Sequence, residues 1–349
     1  MSFMTKTLIL FLAAPFLISC VSGEPESKIT PPEIKMRDRE IAAEKYGGTL
    51  EELDSEALYS FYIMSDNKGD SINREEFKRM VDWTTESNMK FVIGLGDHVD
   101  EGAENSFLEY MVENEWWKNN FYPNVADGEN GYFGESQADW GAGFTLLKLL
   151  EMEKKTNTII RDNKAEYYSR IEVGENHTVH LIQLHYSDTP VGHTLAFKQD
   201  SRDYMIKTLN SIDKKEGDII IIGAHSESGL WVDVLSEEER NIVMGKADLL
   251  LSATTHVFKV FDIEGYYKER LEDELRVVNR TGALCLNTGA ITNARGKAFN
   301  GYVEVHMLEA PDRLVIQYIN AEKGQRELSE PGSVIVKEIN GEIYYPGFK

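Results

Sequence analysis

The chain has 349 residues, 42% hydrophobic and 28% charged, which supplies the core of one large domain or two small ones. Its 59 acidic against 37 basic side chains give a formal charge of −22, a long-range field that repels polyanions and weighs against nucleic acid as a partner. The two cysteines, Cys20 and Cys285, are too few for a zinc–thiolate cluster.

In chain order, residues 1–19 read as a targeting segment: Lys6 precedes an apolar run from Leu8 to Ile18, right for a signal peptide and too short to span a bilayer. The run closes on Leu17-Ile18-Ser19-Cys20, which resembles the bacterial lipobox, so Cys20 is expected to be lipidated. The alternative is an uncleaved anchor or an ordinary signal with a chance Cys. The lipobox reading places the protein in the cell envelope, anchored by lipid and facing the periplasm or exterior. It also leaves Cys285 alone, a small hydrophobe in the context GALCLN. Residues 20–57 combine a Pro-, Ser- and Glu-rich tether with an N-terminal helix.

From Leu58 onward short β-rich runs alternate with amphipathic ones, the signature of an α/β or layered α+β domain over 58–325. Strands are expected at 59–65, 90–96, 121–126, 178–185, 218–224 and 247–252, and helices at 73–88, 103–119, 142–154, 200–213 and 236–245. The stretch 301–320 reads as two strands around Ala310-Pro311-Asp312. Asn340-Gly341 signals a last hairpin in the extension 326–349. Trp116-Trp117 with Phe121-Tyr122 reads as a helix packed on a sheet, or else a cleft lining.

Four apolar runs end in Asp66, Asp97, His225 and His256, with the two acids 31 positions apart and the two histidines again 31 apart. Ligands gather beyond the carboxyl ends of strands in open α/β sheets. Two acids and two imidazoles there can converge on one divalent ion. Asp66-Asn67-Lys68-Gly69-Asp70 also looks like an EF-hand loop, but Asp70 stands where that loop needs Gly, and the segment before it is β-rich. His177, His180, His185, His193 and His306 match no ligand pattern.

The stretches Asp66-Asn67-Lys68, Gly96-Asp97-His98-Val99-Asp100-Glu101-Gly102, Asp127-Gly128-Glu129-Asn130, Gly223-Ala224-His225 and Ala253-Thr254-Thr255-His256 resemble, in order and spacing, the motifs of the calcineurin-like metallophosphoesterases. Leu286-Asn287-Thr288-Gly289-Ala290 with Arg295, and Gln199, are weaker echoes. The resemblance implies an α/β/β/α sandwich with the site at the strand ends, and metal-dependent hydrolysis of a small phosphoester. It departs at Lys68 and Thr254, where the family has His ligands, and at 127–130, where its Asn-His pair is absent. The implied ligands are then Asp66, Asp97, Glu129 (or Asp127), His225 and His256, around one ion of Mn, Zn, Fe, Mg or Ca rather than the family's two. Lys68 would supply the charge of the lost partner, and Asn130 would stand at the leaving-group position without a transferable proton. The rival expectation is a catalytically inactive lipoprotein that keeps the fold as a binding or scaffold surface. An outward Lys68 over an open cleft would favour the enzyme.

Overall fold

The runs YSFYIM, MKFVIG, IIIIGA and LLLS are buried almost throughout, as expected of strands covered on both faces. The computed structural model describes residues 50–67, 88–99, 112–126, 129, 145–155, 157–161, 165–185, 199–225, 235–253, 256, 258–260, 281–289, 291, 301–309, 312–320 and 334–344. Among them the strands are β1 (Tyr59–Met64), β2 (Met89–Gly94), β3 (Phe121–Pro123), β4 (Thr158–Ile160), β5 (Tyr167–Glu172), β6 (Thr178–Leu184) and β7 (Ile219–Ala224). They continue as β8 (Leu249–Ser252), β9 (Phe258–Val260), β10 (Leu284–Thr288), β11 (Gly301–Leu308), β12 (Arg313–Asn320), β13 (Val334–Glu338) and β14 (Ile343–Tyr344). The helices are α1 (Leu50–Glu56), α2 (Glu115–Asn120), α3 (Thr145–Leu149), α4 (Gln199–Ser211) and α5 (Glu237–Lys246).

Among the described residues two mixed seven-stranded sheets form, ordered β14-β13-β12-β11-β1-β2-β3 and β4-β5-β6-β7-β8-β10-β9. Each contains a parallel block, β1-β2-β3 at one end of the first sheet and β6-β7-β8-β10 within the second. Alternation decides which side chains face the partner sheet. Val179, Leu181, Ile219, Ile221, Leu249 and Leu251 join Phe61, Ile63, Phe91 and Ile93 in the core between the sheets. Their neighbours Ile182, Ile220, Ile222, Leu250 and Cys285 face outward, against Met205 and Leu209 of α4 and Val243 of α5. Leu53 and Ala57, in and just beyond α1, cover the other outer face with Leu308, Val315 and Val334. Each fully buried Leu or Ile contributes about 1.5–3 kcal/mol. The α/β/β/α sandwich implied by the sequence resemblance is the architecture formed.

Several elements differ from the sequence reading. The helix at 142–154 breaks: α3 stops at Leu149, Glu151 takes a left-handed φ of 51°, and a short 3-10 turn follows over Met152–Lys154. β3 ends at Pro123 rather than 126, because Asn124 turns to bond across to the second sheet. Strands β4, β5, β9 and β10 were not expected, while the two strands of 301–320 and the Asn340-Gly341 hairpin, with Asn340 at φ 57°, are as read. The expected helix at 73–88 lies almost wholly outside the described residues, as does the first part of 103–119. α2 is the end of the latter, capped by Asn114 and placing Trp117 on Phe121 with ring centroids 5.6 Å apart. The aromatic run is therefore helix-on-sheet packing. In the acidic start of α5, Glu239 closes a capping box with Ser236.

A buried polar clamp joins the sheets below the strand ends. Gln183 Nε2 donates to the Gly94 and Tyr122 carbonyls, each at 3.1 Å, and its Oε1 accepts from Asn124 Nδ2 at 3.1 Å. Asn124 also donates to the Leu184 carbonyl at 2.6 Å, and Tyr167 OH to Pro123 at 2.8 Å. Gly223, opposite Gln183 on β7, leaves room for it: a Cβ there would stand 2.5 Å from Gln183 Oε1. A second tie is Lys155, whose Nζ donates to the Phe121 carbonyl at 2.5 Å and sits 4.4 Å over the Tyr122 ring.

Two outcomes follow. Gln183→Leu removes three buried hydrogen bonds at once, to Gly94 O, Tyr122 O and Asn124 Nδ2, so urea unfolding should show a loss of about 3 kcal/mol. Burial lowers the Lys155 ammonium to about 7. Between pH 7 and the ordinary lysine range the unfolded chain therefore holds a proton that the fold has released, and stability rises with pH. The rise should be about 1–2 kcal/mol from pH 7 to 9, since the Phe121 carbonyl and Tyr122 face offset part of the burial cost. Lys155→Met should flatten it in the same measurement.

Candidate metal centre

Each predicted metal residue at a strand end is placed by the backbone just beyond a parallel strand. Asp66 follows β1, Asp97 follows β2, His225 follows β7, and His256 comes after β8. Three of the four hold left-handed backbone conformations, with φ of 50° at Asp66, 56° at Asp97 and 57° at His256. A non-glycine residue there costs about 1–3 kcal/mol and persists only where the surroundings impose it.

Hydrogen bonds between the loops impose the turns. Asp66 N donates to Gly96 O at 3.1 Å, Ala253 N to His225 O at 3.1 Å and Ile291 N to Ser65 O at 3.2 Å. Ser65 Oγ donates to Gly289 O at 2.6 Å, and Asn287 accepts from Gly289 N while donating to Ala253 O. The Asn287-Thr288-Gly289 loop thus ties the residue before Asp66 to the chain leading into His256. Gly96, at φ 91°, is required by close approach as well: a Cβ would stand 2.6 Å from Ala126 Cβ and 3.0 Å from His225 Nδ1.

Asp66, Asp97 and His225 come together. Each offers one ligand atom, the three atoms lie within 4.8 Å of one another, and all three residues are buried. His225 Nδ1 is 2.7 Å from the Leu95 carbonyl, which can only accept, so Nδ1 carries a proton and Nε2 is the nitrogen that holds the lone pair in the neutral ring. That Nε2 lies 3.7 Å from Asp97 Oδ2. A backbone carbonyl orienting a histidine in this way is the usual outer support of a metal ligand. His256 Nε2 stands 3.0 Å from Asp66 Oδ1, placing it beside the three-residue group. Buried carboxylates side by side call for a cation, and a set of two carboxylates and one imidazole fits a borderline divalent ion.

Glu129 lies outside that group of ligand atoms. Its carboxylate turns to the backbone: Oε1 accepts from His98 N at 2.5 Å and Val99 N at 3.3 Å, and Oε2 accepts from Asp97 N at 3.1 Å and Ala126 N at 2.7 Å. Burial, then the neighbouring Asp97, pushes its carboxyl pKa up to about 7 against the pull of those amides. Lys68 and Asn130, expected to act in catalysis, lie outside the described residues, as do Thr254, Arg295, Asp127 and Asp100.

The sequence reading passed over two residues that shape the site. His98 Nδ1 is 2.6 Å from Asn67 Oδ1, and its Nε2 accepts from Gly96 N at 3.1 Å. Burial lowers its imidazole to about 3, so the ring is neutral and latches the loop after β1 to the loop after β2. The only signal was that Asn67 and His98 share the 31-residue separation of Asp66 and Asp97. Of the other histidines, His180 lies between Tyr168 and Asp218, His185 Nδ1 is 3.1 Å from the Val125 carbonyl, and His306 is 2.8 Å from Ser60 Oγ on the neighbouring strand. The segment before the EF-hand-like stretch is strand β1 rather than the helix that motif needs.

No protein-family profile and no curated protein matches the chain. Solved structures do. Purple acid phosphatase PPD1 from yellow lupin (Lupinus luteus) seeds is 12% identical, with 77% of this chain aligned to 52% of that one at a TM-score of 0.47. PhoD is 11% identical, with 81% aligned to 70% at 0.49. The 5'-nucleotidase from Candida albicans SC5314 is 12% identical, with 76% aligned to 52% at 0.44. The chain spans about half the length of the lupin and Candida proteins. The fold assignment rests on the order of the two sheets, and the site on its own geometry.

Proposed function

We propose that this chain is a metal-dependent hydrolase of a small phosphoester, working with one divalent ion held by Asp66, Asp97 and His225. What carries the reading is the buried convergence of their three ligand atoms within 4.8 Å, with the lone pair of His225 left on Nε2 by the Leu95 carbonyl. A bound divalent ion supplies Lewis acidity, polarising a phosphoryl oxygen and acidifying water.

The chain's own residues do the rest. Asp66 and Asp97 bind and orient, with directions set by their left-handed backbone. His256 stands against Asp66 and supports it. The neutral His98 holds the two acid-bearing loops in register through Asn67 and Gly96. We assign Lys68, next in sequence to Asn67, the role of a positive charge beside the site, and Asn130 that of a hydrogen-bonding group at the leaving oxygen. In the reaction a water oxygen forms the new bond to phosphorus, the ester P–O bond breaks, and the water's proton ends on the released alcohol. The same reading places the domain at the cell envelope on a lipid carried by Cys20.

The test is metal analysis of the purified protein together with hydrolysis of aryl phosphomonoester and phosphodiester substrates in added Mn. Asp97→Asn should lower turnover by about 100-fold or more. A protein that holds no metal and shows no turnover sensitive to this substitution would return the fold to the binding or scaffold reading. Cys20→Ser should abolish incorporation of a labelled fatty acid, and labelling that persists in the variant would overturn the lipid anchor.

A further inference from the structure

Glu129 is a buried carboxylate spent wholly on backbone. A carboxylate offers about four lone-pair directions. All four are engaged, two on each oxygen, by the amides of Asp97, His98, Val99 and Ala126 at 2.5–3.3 Å. An ion bound to Glu129 would have to displace one of these amides, leaving a buried N–H without a partner. Three of the amides are consecutive, which makes the turn after Gly96 a nest for an anion. The first belongs to Asp97, held at φ 56°, so the contact that fills the nest also holds the conformation of a metal-group residue.

We propose that Glu129 is a positioning residue: an internal anion that fills the backbone nest of residues 97–99 and so holds Asp97 where its carboxylate meets Asp66 and His225. The inference rests on the metal reading above and assigns Glu129 the role of organiser rather than ligand. Without the anion, four buried amides lose their acceptor. The left-handed turn then loses the acceptor of its own amide, and Asp97 shifts out of the group. A nest-filler differs from a ligand in one testable respect: a small free carboxylate that takes its place restores the melting midpoint of the metal-free protein.

The experiment compares wild type, Glu129→Ala and Glu129→Gln in the full chain. Mn affinity is read by titration calorimetry and the thermal unfolding midpoint of the metal-free protein by calorimetry, with excess formate or with chloride at equal ionic strength. Glu129→Ala should melt lower and bind Mn about 10–100-fold more weakly. Formate, but not chloride, should restore both properties while leaving wild type unchanged. Glu129→Gln keeps the shape but sets its NH2 against one pair of amides; it should fold and still lose Mn affinity, which preserves the test if the Ala variant does not fold. Mn affinity within twofold of wild type in a folded variant would overturn the proposal. So would a loss of affinity with an unchanged melting midpoint and no response to formate, which would mark Glu129 as a ligand. If wild type binds no Mn the metal reading fails. The melting response of Glu129→Ala to formate then decides the nest by itself, and its absence overturns it.

Discussion

Asp66, Asp97 and Glu129 are buried at one junction of two sheets, where water cannot spread their charge. In that setting each carboxylate needs donors or cations at short range. Glu129 meets four backbone amides and Asp66 lies against His256, while Asp97 and His225 turn ligand atoms toward one another, a need that a bound cation would meet. The glycine at 96, the neutral latch at His98 and the left-handed turns at the strand ends can all be understood as means of bringing these partners within reach.

The junction holds because the framework beneath it is stiff. Strands β1 and β2 from one sheet and β7 and β8 from the other are buried almost completely, and Gln183 and Asn124 pin the sheets together one layer below the acids. Backbone strain of a few kcal/mol at the strand ends is bearable only on such a base. The Asn287–Gly289 loop adds a cross-tie from the Asp66 side to the His256 side. The site is therefore a property of how two parallel blocks abut and of the loop contacts that span their ends.

How far this was legible varies from residue to residue. The runs FYIM and IIIIGA declare buried strands by composition, and Asn340-Gly341 declares its hairpin. β4, β5 and β10 do not, since Thr158–Ile160 and Tyr167–Glu172 are half-exposed segments of mixed polarity and Leu284–Thr288 is too short to separate from a buried helix turn. Among site residues, Asp66, Asp97, His225 and His256 were visible because each terminates an apolar run. Gln183 and Asn124 were not. Their importance comes from partners 59 to 89 positions away, and nothing in their local sequence marks a buried amide from an exposed one.

What the sequence by itself determined is the set of strand ends and the residue types delivered there, because hydrophobic patterning and turn chemistry act over a few residues. The tertiary structure decided how those groups are used. Glu129 spends its four lone pairs on backbone amides, His225 presents Nε2 because Leu95 takes Nδ1, and His98 stays neutral in a space without water. Lone-pair directions, tautomers and proton affinities depend on which atoms meet across the two sheets, and that meeting exists only once the chain has folded.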